Sequence, residues 1–269
     1  MYHDIIIWII TIIKKWKTLL IYRQKKKLYN EFYENIDSNY DVNIFLSTDD
    51  KNKTNFFYKE VINFKMCGIA GLFGTKKIGA ESISNTLVLM KNRGPDFSSY
   101  VTKDLGNNKF VSLLHSRLSI IDLQERSNQP FSIGDYTIIY NGEIYNYIEL
   151  KKDLEKKGIK FRTNSDTEVL LQYYILYGEE CVKFLDGMWS FAIYNYKKNL
   201  LFLSRDRFAE KPMYYSIQPE GIYFGSQISF IKGLAKKKFE KNEKKINKFL
   251  SYGPKPIFKD NETFYKNIN

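Results

Sequence analysis

From residue 68 onward the chain runs through short β-rich segments, set apart by tight turns and a few helical stretches, and this succession constrains its fold most. Residues 68–73 read as a short buried strand. Residues 83–91 have helical spacing, which Arg93-Gly94-Pro95-Asp96 breaks. Residues 110–121 and 136–145 are β-rich, the second divided by Asn141-Gly142. An amphipathic helix follows over 147–157, ended by Gly158, and a second over 165–176, opened by a capping box from Ser165 to Glu168. Four more strands are expected at 189–196, 200–204, 213–217 and 221–225. Two helices between strand runs joined by short turns predict an α+β fold with antiparallel sheets, not a parallel βαβ sheet. There is no Gly-rich phosphate loop and no internal repeat.

At 269 residues the chain can bury one core of about 150–200 residues plus appendages. The net charge of +12 resides in two short runs, +7 over 14–27 and +5 over 232–245. A nucleic-acid binder spreads basic groups over one face and interleaves aromatic residues, so no nucleic-acid partner is expected. The apolar run over 5–13 falls short of the roughly 20 residues of a membrane span. It also lacks the flanks of a signal peptide. A membrane-surface helix or a removable propeptide are alternatives, but residues 1–65 are first expected to be an extension that the working protein lacks. Two cysteines with no CxxC spacing exclude a disulfide framework and fit a reducing cytoplasm. With only His3 and His115, histidine-based metal sites have too few ligands.

Chemistry gathers around Met66-Cys67-Gly68-Ile69-Ala70-Gly71. Once the methionine is removed, Cys67 carries both a thiol and a free α-amine, so it can supply its own base. With residues 1–66 attached, that nitrogen is an amide and cannot accept a proton. The bland alternative is a cysteine buried as packing. Asn141-Gly142 reads as a hairpin turn, or as two donors for an oxyanion projecting from such a turn. Arg117 reads as a surface ion pair or as a fork for a carboxylate. Asp166 reads as an acid favoured at a helix start or as an acceptor for an ammonium, a task Glu143 could share. His115 could pair with Cys67, though a strand histidine satisfied by backbone is the simpler reading. Together these groups fit an amino acid with a side-chain amide, and free glutamine is the natural candidate.

These residues resemble the glutaminase domain of glutamine-hydrolysing asparagine synthetases, class II amidotransferases of the amino-terminal-nucleophile type. The runs that carry the likeness are, in order, MCGIAG at Met66, RGPD at Arg93, RLSIID at Arg117 and NGEIYN at Asn141. SDTEVLL at Ser165, DGMWSFAIY at Asp186 and RDRFAEKPMYY at Arg205 follow, so the match spans 66–226 with a weaker echo over 249–258. The resemblance implies a four-layer αββα sandwich of two antiparallel sheets. It makes Cys67 the nucleophile and Asn141 and Gly142 the oxyanion hole. It assigns Arg117, Leu118, Ser119, Ile120, Ile121, Asn141, Gly142, Glu143 and Asp166 to the glutamine pocket.

Asn92 and Ala209 depart from the family pattern, the latter standing where glycine is usual. The family's ATP-dependent second domain, with its SGGxDS loop, has no counterpart here. The expected organisation is therefore an extension over 1–65, an amidotransferase domain over 66–230 and a lysine-rich connector over 231–269 to a missing synthetase domain. No cofactor is expected in this chain, ATP and Mg belonging to that other domain. L-glutamine and a synthetase domain or subunit that accepts ammonia are the implied partners, with a homodimer left open. The competing expectation is a non-catalytic glutaminase-like module or gene remnant whose Cys67 is blocked.

Overall fold

A computed structural model describes residues 66–252 and 261–269. The expectations placed on residues 1–65, and part of the echo over 249–258, fall outside the described residues.

Two antiparallel sheets form the centre. The first is built from β1 (Gly68–Gly74), β2 (Phe97–Asp104), β3 (Phe110–Arg117), β8 (Tyr214–Gln218) and β9 (Gly221–Gly225), in the order β2-β3-β1-β9-β8. The second has β4 (Phe131–Ile133), β5 (Tyr136–Ile144), β6 (Gly187–Asn195) and β7 (Leu200–Arg205), in sequence order. Every pairing is antiparallel, and short connections join β2 to β3, β4 to β5, β6 to β7 and β8 to β9.

Alternation along each strand sorts the side chains into two layers. Ile69, Val111, Leu113 and Phe224 from the first sheet meet Ile139, Ala192 and Tyr194 from the second. The opposite parity of β5 and β6, with Ile138, Tyr140, Ile144, Phe191 and Ile193, packs with Leu150, Leu154, Val169 and Leu170. Those residues lie on α2 (Tyr147–Lys156) and α3 (Asp166–Tyr177). On the far face of the first sheet lie α1 (Ala80–Met90) and α4 (Ile228–Ala235), with Met90 and Phe230 set against Gly68. The layers are thus helix, sheet, sheet, helix, as expected. Each fully buried Leu, Ile or Phe adds about 1.5–3 kcal/mol of transfer free energy.

Two local expectations are corrected. Asn141-Gly142 is not a turn: β5 passes straight through both residues, which pair with Ser190 and Trp189 of β6, and neither has a positive φ. The long ladder with β6 outweighs the turn preference of the dipeptide. The capping box is half formed, because Ser165 Oγ accepts from the Thr167 N–H at 3.2 Å while Glu168 turns away from the cap. Glu168 instead accepts from the Arg162 and Thr163 N–H groups and the Thr163 hydroxyl, which braces the loop before α3.

Residues 261–269 lie with the sandwich, where Tyr215 and Asn269 exchange two backbone hydrogen bonds of 2.9 Å. A separate helix, α5, spans Glu243–Tyr252 with Glu243 in its first turn, where the helix dipole favours an acid.

Candidate active site

Cys67 immediately precedes β1. Its main chain is clamped on both sides, the Met66 N–H donating to the Arg93 carbonyl at 3.0 Å and Arg93 Nε to the Cys67 carbonyl at 3.2 Å. The Sγ accepts from the Leu118 N–H at 3.4 Å and lies 3.5 Å from the Leu118 carbonyl. Burial pushes the thiol up, while the Leu118 N–H and the Arg117 charge act the other way. A hydrogen-bonded thiol of this kind is held in place but needs help to ionise.

The geometry of β5 explains how it can serve an oxyanion. In an antiparallel pair, alternate residues point their N–H groups at the partner strand and away from it. Tyr145, just beyond β5, donates its N–H toward the β6 side, to Asp186 at 2.7 Å. Even-numbered residues point the other way: the Tyr140 N–H meets Gln129 Oε1 at 2.6 Å, and the Ile144 N–H meets Asp166 Oδ2 at 3.1 Å. Gly142 lies between them with the same parity, so its N–H faces the open edge of the sheet, where Gly142 and Cys67 line one pocket. The position requires glycine, since a Cβ would collide with the Met188 carbonyl oxygen and lie 2.8 Å from Trp189 Cα. Asn141 faces the first sheet, alongside Ile139, and its buried Nδ2 has no protein acceptor.

Asp166 stands at the start of α3, buried, with Oδ2 accepting from the Tyr140 hydroxyl at 2.9 Å as well as from Ile144. Burial raises its pKa, and the surrounding donors oppose that rise. Arg117 is buried too, which excludes a surface ion pair. Its guanidinium donates to the Gln124 carbonyl (3.1 Å), Asn128 Oδ1 (2.7 Å), and the carbonyls of Ile121 (3.3 Å) and Asp122. It therefore organises the loop over 118–128 while also lining the pocket. His115 does not pair with Cys67, because its Nε2 contacts the Tyr140 carbonyl at 3.1 Å and joins the two sheets.

One pocket thus combines a thiol, a main-chain donor, a guanidinium and a carboxylate. The glutamine amidotransferase domain family matches residues 66–269, three quarters of the sequence. The chain belongs to that family. It is 38% identical over 194 residues to asparagine synthetase (glutamine-hydrolysing) 1 of Bacillus subtilis, covering 70% of this chain and 30% of the relative. Asparagine synthetase (glutamine-hydrolysing) 3 of the same organism is 40% identical over 173 residues, covering 62% and 27%. The chain therefore spans about a third of the length of the curated relatives it matches. Glutamine phosphoribosylpyrophosphate amidotransferase from B. subtilis, solved with ADP and GMP, shares the fold at a TM-score of 0.52 and 19% identity. That alignment covers 63% of this chain and 44% of the other.

Within this amidotransferase domain the pocket gathers Arg117, Leu118, Ile120, Ile121, Gly142, Glu143 and Asp166 around Cys67. Ser119 and Asn141 are not among the lining residues, the Ser119 N–H donating to Asp96 Oδ2 at 2.7 Å. Sequence reasoning missed Gln129, whose amide joins Tyr140 of β5 to Thr167 of α3, and the clamp made by Arg93. Arg93 was visible as part of RGPD, whereas nothing local marks Gln129. Among the described residues, no group of three His, Cys, Asp or Glu could hold a metal ion. Nor is any helix among them long and apolar enough to cross a membrane.

Proposed function

We propose that this domain hydrolyses L-glutamine to glutamate and ammonia, as the glutaminase half of an asparagine synthetase-like enzyme. What carries the reading is the Gly142 N–H on the open edge of β5, sharing a pocket with the Cys67 thiol. The Cys67 sulfur attacks the side-chain amide carbon, and the carbonyl oxygen becomes an oxyanion facing Gly142 N–H and Asn141 Nδ2. Collapse expels ammonia and leaves a thioester, which water cleaves to glutamate. Losing one such donor costs about 2.7–4 kcal/mol of transition-state stabilisation. Asp166 takes the substrate ammonium, with Glu143 beside it, and Arg117 takes the carboxylate through guanidinium edges now turned to loop carbonyls. The chain needs no cofactor for this step. ATP and Mg serve the synthetase domain or subunit that receives the ammonia, and the setting is the cytoplasm.

The α-amine of Cys67, with a reference pKa near 7.7–8.0, acts as the base once Met66 is gone. In the full chain that nitrogen is a peptide amide, which favours a second reading: a blocked, non-catalytic module while residues 1–66 remain. Removing a general base costs about 10²–10⁴ in rate. Glutamine turnover by the full chain should therefore fall by that factor below a protein whose first residue is Cys67. Equal rates would refute the need for a free amine, and no turnover by either protein would refute the glutaminase reading.

A further inference from the structure

Lys211 is a buried cation to which the scheme above gives no task. Only 8% of the residue is exposed, and its Nζ lies 3.3 Å from Sδ of Met66, the residue bonded to Cys67. A thioether is a weak acceptor, so this contact compensates an ammonium poorly. Burial lowers the lysine's pKa, and the fold maintains that cost through a dedicated loop. Asp206 Oδ1 accepts from the N–H groups of Phe208 (3.0 Å) and Glu210 (2.9 Å), while Oδ2 accepts from that of Lys211 itself at 3.0 Å. One carboxylate thus winds the segment over 206–211 and delivers the lysine inward. Glu143 of β5, Arg93, Glu210 and Cys67 are the charged or ionisable groups acting on the ammonium. Around the sulfur, Arg117 and Lys211 favour negative charge and Asp166 of α3 opposes it.

We infer that Lys211 is a positioning residue of this site, its buried ammonium held against the residue that precedes Cys67 and supplying positive charge there, so that the sulfur carries negative charge more readily. It deepens the glutaminase reading, in which that sulfur must attack an amide. A purely structural lysine would fill space and leave the sulfur's acidity alone.

The test compares the full chain with its K211M, K211Q and K211R variants by iodoacetamide labelling of Cys67. Labelling is read by peptide mass spectrometry from neutral to alkaline pH. In K211M and K211Q the inflection should move up by about one pH unit, and labelling below it should slow about tenfold. K211R should stay within about twofold of the wild type. Cys181, fully buried, reports loss of fold if it becomes labelled. Should K211M expose Cys181, K211Q carries the comparison. A folded K211Q with an unchanged inflection overturns the inference, and so does unfolding of both neutral variants, which assigns Lys211 to structure alone. Glutamine turnover by the same substitutions in a protein whose first residue is Cys67 separates the two readings. A lower kcat at unchanged KM in K211Q supports both, whereas a labelling shift with no turnover anywhere removes the glutaminase reading and keeps the charge effect.

Discussion

Acid should loosen this fold through His115 in particular. The imidazole is fully buried between the sheets, with Nε2 on the Tyr140 carbonyl. Burial, with a smaller push from Arg117, drops its pKa to about 3, against the backbone bond that raises it. A depressed folded-state value means that the unfolded chain takes up the proton first. Stability is therefore complete above the unfolded pKa of about 6.5 and drains as pH falls toward about 3. At about 1.36 kcal/mol per pH unit, lowering the pH from about 7 to about 5 should cost close to 2 kcal/mol from this residue alone. H115Q is the control, since a glutamine Nε2 can reach the same carbonyl without titrating. Urea melts of both full chains at the two pH values should show the wild type losing about 2 kcal/mol more than H115Q. Carboxylates and His3 contribute to both proteins and cancel in the difference. Equal losses would refute the account of a neutral, buried sheet-to-sheet clamp.

Gly142→Ala should lower stability by about 1–3 kcal/mol by overpacking the Met188 and Trp189 backbone, and should abolish glutamine turnover while the protein stays folded, read by melting and ammonia release. Ala209 sits at φ +57, where a left-handed backbone penalises a Cβ. Ala209→Gly should therefore raise stability by about 0.5–1 kcal/mol in urea melts, and no gain would show that the turn is relaxed. Arg117→Met removes the donors to four loop acceptors. Amide exchange over 118–128 should then accelerate by more than about tenfold while β5 stays protected, and unchanged exchange would contradict the bracing role.

Most elements were legible because their composition and periods are strong: β3 and β6 are rich in strand-forming residues and buried on both faces, and the α2 pattern marks a helix lying on a sheet. The Asn-Gly pair misled because its turn preference is local, whereas its strand conformation is imposed by β6, more than 40 residues away. Motifs marked Cys67, Arg117 and Asp166 as chemical groups. They could not reveal that Arg117 spends its donors on the loop, since three of the four acceptors are main-chain carbonyls that carry no side-chain signature. Gln129 was illegible for a related reason. Its role exists only where β5 and α3 approach one another, so no window of neighbouring residues contains it.

The placement of Gly142 within a continuous strand leaves the site intolerant of sequence-length change. A single codon gained or lost between 136 and 141 that slid β5 along β6 by one step would send Asn141 to the helix side and turn the glycine amide toward its neighbour. Substitutions on that strand can be weighed one at a time, but an indel there would extinguish both donors together.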